Sequence, residues 1–404
     1  MDVSSVFQSG EEKLALINGR IILPDAIVAD RVLVIEHGRI VAVAPRAAIG
    51  SDTNPIDVGG RWITPGLIDL HTHGALGHTF NEPTREAFET ICAANARHGV
   101  TSLCATLAPA PLADLKQCLA FMRTWRSERH PGAQVLGGYL ESPFTNVAQK
   151  GALDPSCLRL PDDGSADELL EFADVLRVFM LAPELPGAIE LVEKINRLGV
   201  VPAAGHSSAY DVHVRAAMEH GLRHVTHIWS AMSSVVREGP WRKPGLLEAA
   251  LTFDGLTVEM IADNKHLPPT LMKLAYKCIG PDRLCAISDA TSGAGLPDGS
   301  RFTMGGMEYE VSDGVGMMFD RSAFAGSTTL LNQMIPILID AVGIPLIEAI
   351  RMTTLTPARI VGVADRKGSL AAGKDADVVI WNDDFTPWQV LIAGQSVPPN
   401  SFGG

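Results

Sequence analysis

The sequence predicts an α/β protein: a (β/α)8 TIM-like barrel carrying a small β-sandwich domain formed from both chain ends. Three observations predict it. Apolar strand-like runs alternate with helical stretches through the middle of the chain. Both ends are instead rich in short Val/Ile/Leu runs and turns. Residues able to ligate metals or move protons fall at the ends of the strand-like runs, where a barrel would gather them at one mouth.

The chain ends come first. Residues 14–44 read LALINGRIILPDAIVADRVLVIEHGRIVAVA, with turns at Asn18-Gly19 and His37-Gly38. Residues 369–397, SLAAGKDADVVIWNDDFTPWQVLIAGQSV, have the same texture. Termini often lie close together. Segments 1–64 and 361–404 are therefore read as two parts of one small β domain, around a barrel over 65–360. A length of 404 residues suits one large domain plus a smaller one.

The barrel elements follow in order. Strand-like runs cover 64–70, 101–106, 135–140, 175–181, 200–204, 224–226, 256–261 and 284–288. Helical stretches cover 84–98, 112–129, 166–172, 187–198, 209–220, 267–278 and 327–342. The runs are nearly continuously apolar, as strands buried on both faces should be. A doubly wound open sheet is the competing architecture.

The polar residues decide between the two. His71 and His73 are two apart, so a strand presents them on one face, where both imidazoles can reach one divalent metal. Glu141 ends the third run, within Tyr139-Leu140-Glu141-Ser142-Pro143-Phe144, and a carboxylate there can ligate one ion or bridge two. His206 ends the fifth run, His227 the sixth and Asp289 the eighth. Each has an ordinary alternative: Glu141 could cap a turn, and Asp289 could form an Asx turn before Thr291-Ser292-Gly293. His98, His130, His213 and His220 read as surface or helix-end residues; His78 and His224 lie near the proposed site without a signal of their own. An open sheet would spread the five strand ends along an edge, whereas a barrel converges them.

Composition narrows the function. Lys plus Arg number 33 against 46 Asp plus Glu, a formal charge of −13. That argues against nucleic acid as partner. It leaves room for a small phosphorylated substrate, which one or two basic side chains can hold. Six cysteines without a CxxC pair read as reduced thiols of a cytoplasmic protein. The N-terminal stretch lacks a basic region followed by an apolar run, and no window reaches 18 uncharged apolar residues. Neither a signal peptide nor a membrane span is expected.

Nearly the whole chain resembles the N-acetylglucosamine-6-phosphate deacetylases of the amidohydrolase superfamily. The resemblance runs through Asn18-Gly19-Arg20, Pro65-Gly66-Leu67-Ile68-Asp69-Leu70-His71-Thr72-His73-Gly74 and Ala182-Pro183-Glu184. It continues through Gly205-His206-Ser207, Thr226-His227, Ala231-Met232, Ile261-Ala262-Asp263, Ser288-Asp289-Ala290, Ala325-Gly326-Ser327 and Gly373-Lys374-Asp375-Ala376-Asp377. It implies that Glu141, His206 and His227 hold a principal metal, with His71 and His73 completing a second position that shares Glu141. Some family members lack the histidine pair and use one ion, so of the one or two divalent ions expected per subunit its presence favours two. Mixed His/Glu ligation does not distinguish zinc, iron, manganese and cobalt. The resemblance makes Asp289 the catalytic acid/base, a role suited to a carboxylate beside an ion that acidifies water. Within a mobile segment, 233–245, it places Arg242 at a phosphate-binding arginine supplied across a dimer interface, which implies a homodimer. Arg237 and Lys243 are its close rivals. His266 matches a substrate-binding histidine, and Ser230 and Ala231 fall beside the sugar phosphate.

The chain departs from the family at three places. Tyr139 and Ser142 stand where the family has histidine and glycine, Leu153 where it has a substrate-contacting histidine, and Trp229-Ser230 where it has Phe-Asn. Metal positions are kept while sugar-contacting ones differ. The expected activity is metal-dependent hydrolysis of the N-acetyl group of an amino sugar phosphate, N-acetylglucosamine 6-phosphate giving glucosamine 6-phosphate and acetate. The alternatives are N-acetylgalactosamine 6-phosphate or an unphosphorylated N-acyl compound. A non-enzymatic structural relative is opposed by the intact ligand set and Asp289.

Overall fold

The computed structural model describes residues 13–48, 50, 52–141 and 143–398. Residues 1–12 and 399–404 of the expected small domain, and Ser142 of the Glu141 motif, lie outside the described residues. Eight parallel strands stand in chain order in one sheet: β1 (Leu67–Thr72), β2 (Val100–Leu107), β3 (Gln134–Leu140), β4 (Leu176–Leu181), β5 (Val201–Ala204), β6 (His224–Val225), β7 (Thr257–Ile261) and β8 (Leu284–Ile287). The end of β8 closes on β1: Asp289 N donates to His71 O at 2.9 Å and His73 N to Ala290 O at 2.7 Å. The sheet is thus a barrel and not an open edge. Its strands are buried almost throughout, β2 at every residue, because apolar side chains point both inward and toward the surrounding helices.

The helices begin and end on local signals. Thr84 caps Arg85–Arg97, its Oγ1 accepting from Ala87 N at 3.2 Å. Gly99 ends that turn at φ +83°, and a Cβ there would meet the Trp381 ring at 2.4 Å. Only glycine fits where the barrel packs on the C-terminal strand.

Beyond shifts of one to three residues at helix and strand ends, two boundaries differ from expectation. The run at 64–70 divides: Trp62–Pro65 belongs to the small domain and β1 starts at Leu67. Pro65 carries no N–H to continue a ladder, and Gly66 is pressed so close to Thr101 that a Cβ would lie 2.1 Å from its Oγ1. The helix expected over 327–342 starts at Leu331, after a four-stranded antiparallel sheet over 301–327 that was not anticipated. Alternating Phe302/Met304 and Tyr309/Val311 bury one face of it, and Gly305-Gly306 and Asp313-Gly314 turn its hairpins. Those dipeptides were the available signal.

The small domain has two sheets, four-stranded from the N-terminal segment and six-stranded from both ends. Val378–Trp381 pairs antiparallel with Trp62–Pro65, which joins the chain ends. Leu16, Leu33, Ile63, Val378, Ile380 and Leu391 share the core between the sheets. Beside it, Lys367 is 3% exposed and lies 3.2 Å from Asp375 Oδ2 and 2.5 Å from Asp377 Oδ2. The 233–245 segment, expected to be mobile, forms an antiparallel ribbon of Val236–Glu238 and Trp241–Lys243 with all six residues exposed. No helix among the described residues is long and apolar enough to cross a membrane.

Candidate metal centre

The C-terminal ends of β1, β3, β5, β6 and β8 bring His71, His73, Glu141, His206, His227 and Asp289 to one point, none more than 7% exposed. Alternation along β1 sends His71 and His73 inward, while Thr72 between them donates its main-chain N–H to Thr106 Oγ1 at 3.0 Å. His206 (φ +45°), Trp229 (φ +72°), Ala231 (φ +47°) and Asp289 (φ +49°) adopt left-handed backbone without being glycine. Each such residue costs on the order of 1–3 kcal/mol, a burden that clusters at functional sites.

Glu141 is the hub. Its Oε1 lies 3.0 Å from His206 Nε2 and 3.1 Å from His227 Nε2; its Oε2 lies 3.5 Å from His73 Nε2. His71 Nε2 is 3.3 Å from His73 Nε2 and 3.9 Å from Glu141 Oε1. Asp289 Oδ1 faces His73 Nε2 at 3.4 Å and His71 Nε2 at 3.6 Å. Two triads result, His71/His73/Glu141 and Glu141/His206/His227, each with its ligand atoms within 4.8 Å of one another.

Four imidazole Nε2 atoms thus crowd around carboxylate oxygens, the donor set of a zinc-, iron-, manganese- or cobalt-type cation. The far ring nitrogens support this. His71 Nδ1 meets Glu259 Oε2 at 3.1 Å and His206 Nδ1 meets Gln149 O at 2.9 Å, which leaves each Nε2 its lone pair for an ion. Among the described residues, His73 Nδ1 and His227 Nδ1 are buried without a protein partner. The electrostatics point the same way. Burial pushes the Glu141 carboxyl up, but hydrogen bonds from His206 and His227 bring it well below the usual range. Burial likewise raises Asp289, and His73 and His71 outweigh it to leave it lowered. Burial lowers His71, yet Glu259, Asp289 and Glu141 carry it up to about 9. Carboxylates packed this closely demand positive charge, and the residues fit a divalent cation.

A cavity of about 430 Å³ opens above this cluster. His73, Glu141, His206, His227 and Asp289 form its floor, and Ser230, Ala231 and His266 stand in its wall. Leu153, Trp229, Met304 and Phe324 make the rest of the wall largely apolar. His266 Nδ1 is fixed 2.7 Å from Asp263 Oδ2, which also accepts from Ser327 Oγ at 2.8 Å. A larger cavity, about 590 Å³, lies at the seam of small domain and barrel. It holds none of the converging ligands, so size does not mark the site. Arg242 lies on the exposed ribbon outside the wall, its NH1 3.4 Å from Pro240 O.

Two supporting residues went unassigned in the sequence reading. Glu184, inside a recognised motif, accepts from Ser207 Oγ at 2.7 Å, Ser208 N at 2.6 Å and Asn146 Nδ2 at 2.9 Å, which fixes the loop after His206. Glu259 meets His71 and also His224, whose Nε2 lies 2.9 Å from its Oε1. The signal for Glu259 was a lone charge inside the apolar run of β7.

The chain and its fold are similar to those of known proteins. Residues 62–397 match the amidohydrolase family. The chain is 32% identical to N-acetylgalactosamine-6-phosphate deacetylase of Escherichia coli O157:H7 over 93% of its own length and 97% of that protein's. It is 31% identical to N-acetylglucosamine-6-phosphate deacetylase of Vibrio furnissii over 92% of its length and 91% of the relative's. Its fold is similar to the crystal structure of N-acetylglucosamine-6-phosphate deacetylase from Pasteurella multocida, with TM-score 0.89, 28% identity and coverage of 95% and 99% of the two chains. It is also similar to a mutant of the Mycobacterium smegmatis enzyme in complex with N-acetyl-D-glucosamine-6-phosphate, with TM-score 0.88, 29% identity and coverage of 96% and 99%. Matched over most of its length and aligned nearly end to end with these deacetylases, the chain belongs to the amidohydrolase family.

Proposed function

We propose that this chain hydrolyses the N-acetyl group of N-acetylglucosamine 6-phosphate, releasing acetate and glucosamine 6-phosphate. The observation that carries the reading is the buried His71/His73/Glu141/His206/His227 cluster with Asp289 beside it on the floor of one cavity. The relatives' substrates agree with it. Glu141, His206 and His227 would hold one divalent cation and His71, His73 and Glu141 a second, from the zinc, iron, manganese and cobalt group. A cation so bound lowers the pKa of water and polarises an amide carbonyl.

The chain's own residues do the rest. Asp289 takes a proton from the attacking water and returns one to the amine nitrogen as the C–N bond breaks. The water oxygen ends in acetate. Asp289 Oδ1 lies 3.4 Å from His73 Nε2, which sets the carboxylate beside the proposed ligands. His266, Ser230 and Ala231 contact the sugar phosphate from the wall. None of the described wall residues is Lys or Arg. The exposed ribbon carries Arg237, Arg242 and Lys243 beside Trp241, itself 72% exposed. This supports a homodimer in which a second copy brings Arg242 to the phosphate. The six unpaired cysteines suit a reducing cytoplasm.

A second substrate is favoured by a specific feature. Leu153 puts an apolar side chain in the wall where the resemblance expects histidine, and one relative acts on the galactosamine epimer. The deciding experiment measures acetate release from N-acetylglucosamine 6-phosphate, N-acetylgalactosamine 6-phosphate and N-acetylglucosamine, using enzyme of measured metal content. Fastest turnover of the first supports the proposal. Fastest turnover of the second moves the assignment to the epimer, and fastest turnover of the third removes the phosphate.

A further inference from the structure

We propose that Glu259 is the positioning residue of the His71/His73/Glu141 metal position, the shared acceptor that aims His71 at the ion. The inference rests on the metal-dependent reading above. Barrel interiors are normally filled by branched apolar side chains. Glu259 breaks that rule in the middle of β7, with no exposed surface. A buried carboxylate is costly unless it is hydrogen-bonded, and this one meets donors from three other strands. Oε2 lies 3.1 Å from His71 Nδ1 on β1, 3.3 Å from His227 N after β6 and 3.4 Å from Tyr139 Oη on β3; Oε1 lies 2.9 Å from His224 Nε2 on β6. The partners are held in turn, Tyr139 Oη 2.7 Å from Thr226 Oγ1 and His224 Nδ1 2.7 Å from Thr257 Oγ1.

The chemistry follows from the acceptor. An ionised carboxylate offers no proton, so His71 must donate through Nδ1, and Nε2, facing Glu141 and His73, is the nitrogen an ion would take in place of a proton. Among the described residues nothing gives His73 a comparable support, since its Nδ1 meets no partner there. The other triad meets the Glu259 side chain at His227 N, 3.3 Å from Oε2, but has supports of its own. His206 Nδ1 is held by Gln149 O, and the His227 loop is pinned by Ile228 N donating 2.9 Å to the main-chain O of Glu259, which side-chain substitution leaves in place. Loss of the Glu259 carboxylate should therefore weaken one position selectively.

The test measures metal per subunit and zinc affinity for wild type, Glu259→Gln and Glu259→Leu, with thermal unfolding of each. Two ions are expected in the wild type. Glu259→Leu should retain one, with affinity for the second weakened by about 100-fold, the upper end for loss of such a support. Glu259→Gln keeps one acceptor oxygen for His71 and should fall between, about 10-fold weaker. If Glu259→Leu does not fold, Glu259→Gln carries the test alone. Unchanged affinity for the second zinc in whichever variant folds overturns the inference, as does equal weakening of both positions, the sign of a general structural or charge effect. A wild type that binds fewer than two ions removes the two-position reading and this inference together. Acetate release measured in parallel keeps the functional proposal separate, because an active two-metal wild type beside an unaltered variant sinks only the role of Glu259.

Discussion

Replacing Asp289 by Asn is the sharpest perturbation of the proposed chemistry, because the fold and the reaction respond to it in opposite ways. Asp289 sits at φ +49°, and Asn is among the residues that tolerate left-handed backbone best. Its main-chain bonds, N to His71 O at 2.9 Å and O from Ser327 N at 2.8 Å, do not involve the side chain. The side-chain contacts to His73 and His71, 3.4 and 3.6 Å, are longer than ordinary hydrogen bonds. Little stability is at stake, so the unfolding temperature should hold. Turnover is another matter. The Asn amide cannot take a proton from water, and general acid–base assistance is worth about 10²–10⁴-fold. At about 1.36 kcal/mol per decade, that raises the barrier by roughly 2.7–5.4 kcal/mol. The assay is acetate release from N-acetylglucosamine 6-phosphate at saturating substrate, with metal content and thermal unfolding measured on the same preparation. Near-wild-type turnover with intact metal content would refute the acid/base role and reduce Asp289 to a turn residue.

Three further outcomes are expected. Arg242→Ala should raise KM for phosphorylated substrate roughly 10- to 150-fold, the value of a charged hydrogen bond of about 1.5–3 kcal/mol. It should leave the unfolding temperature unchanged, since Arg242 is exposed; steady-state kinetics with sedimentation checks this, and an unchanged KM removes the phosphate role. Chelation should abolish turnover and lower the unfolding temperature, with both restored by divalent metal, because a ligand at 100 times its Kd contributes about 2.7 kcal/mol to the folded state. Calorimetry showing equal stability with and without metal would count against a bound ion. Lys367→Met should cost about 3–5 kcal/mol in denaturant unfolding, because it removes the cation beside the buried Asp377 and leaves that carboxylate the neutral Ala393 N at 2.8 Å; a loss below about 1 kcal/mol would show that the pair is dispensable.

The barrel and the outline of its site were legible in the linear chain because both rest on short-range patterns. Strands buried on both faces must be apolar, so β1 to β8 stood out, and the side-chain period of two placed His71 and His73 together without any knowledge of neighbours. The strand-end positions of Glu141, His206, His227 and Asp289 were legible for the same reason. Tertiary structure alone decided what depends on partners distant in sequence. Glu259 looked like a stray charge until β7 was set against His71, 188 positions away. The sheet over 301–327 was obscured because three of its four strands are three or four residues long, at or below the shortest run over which period-two alternation is read. Whether Arg242 serves a cavity was likewise beyond any local pattern, since the folded chain leaves it on an exposed ribbon outside its own cavity wall. Sequence periodicity records the face on which a side chain lies, whereas the atom it meets is settled only when strands hundreds of residues apart are brought within about 3 Å of each other by closure of the barrel.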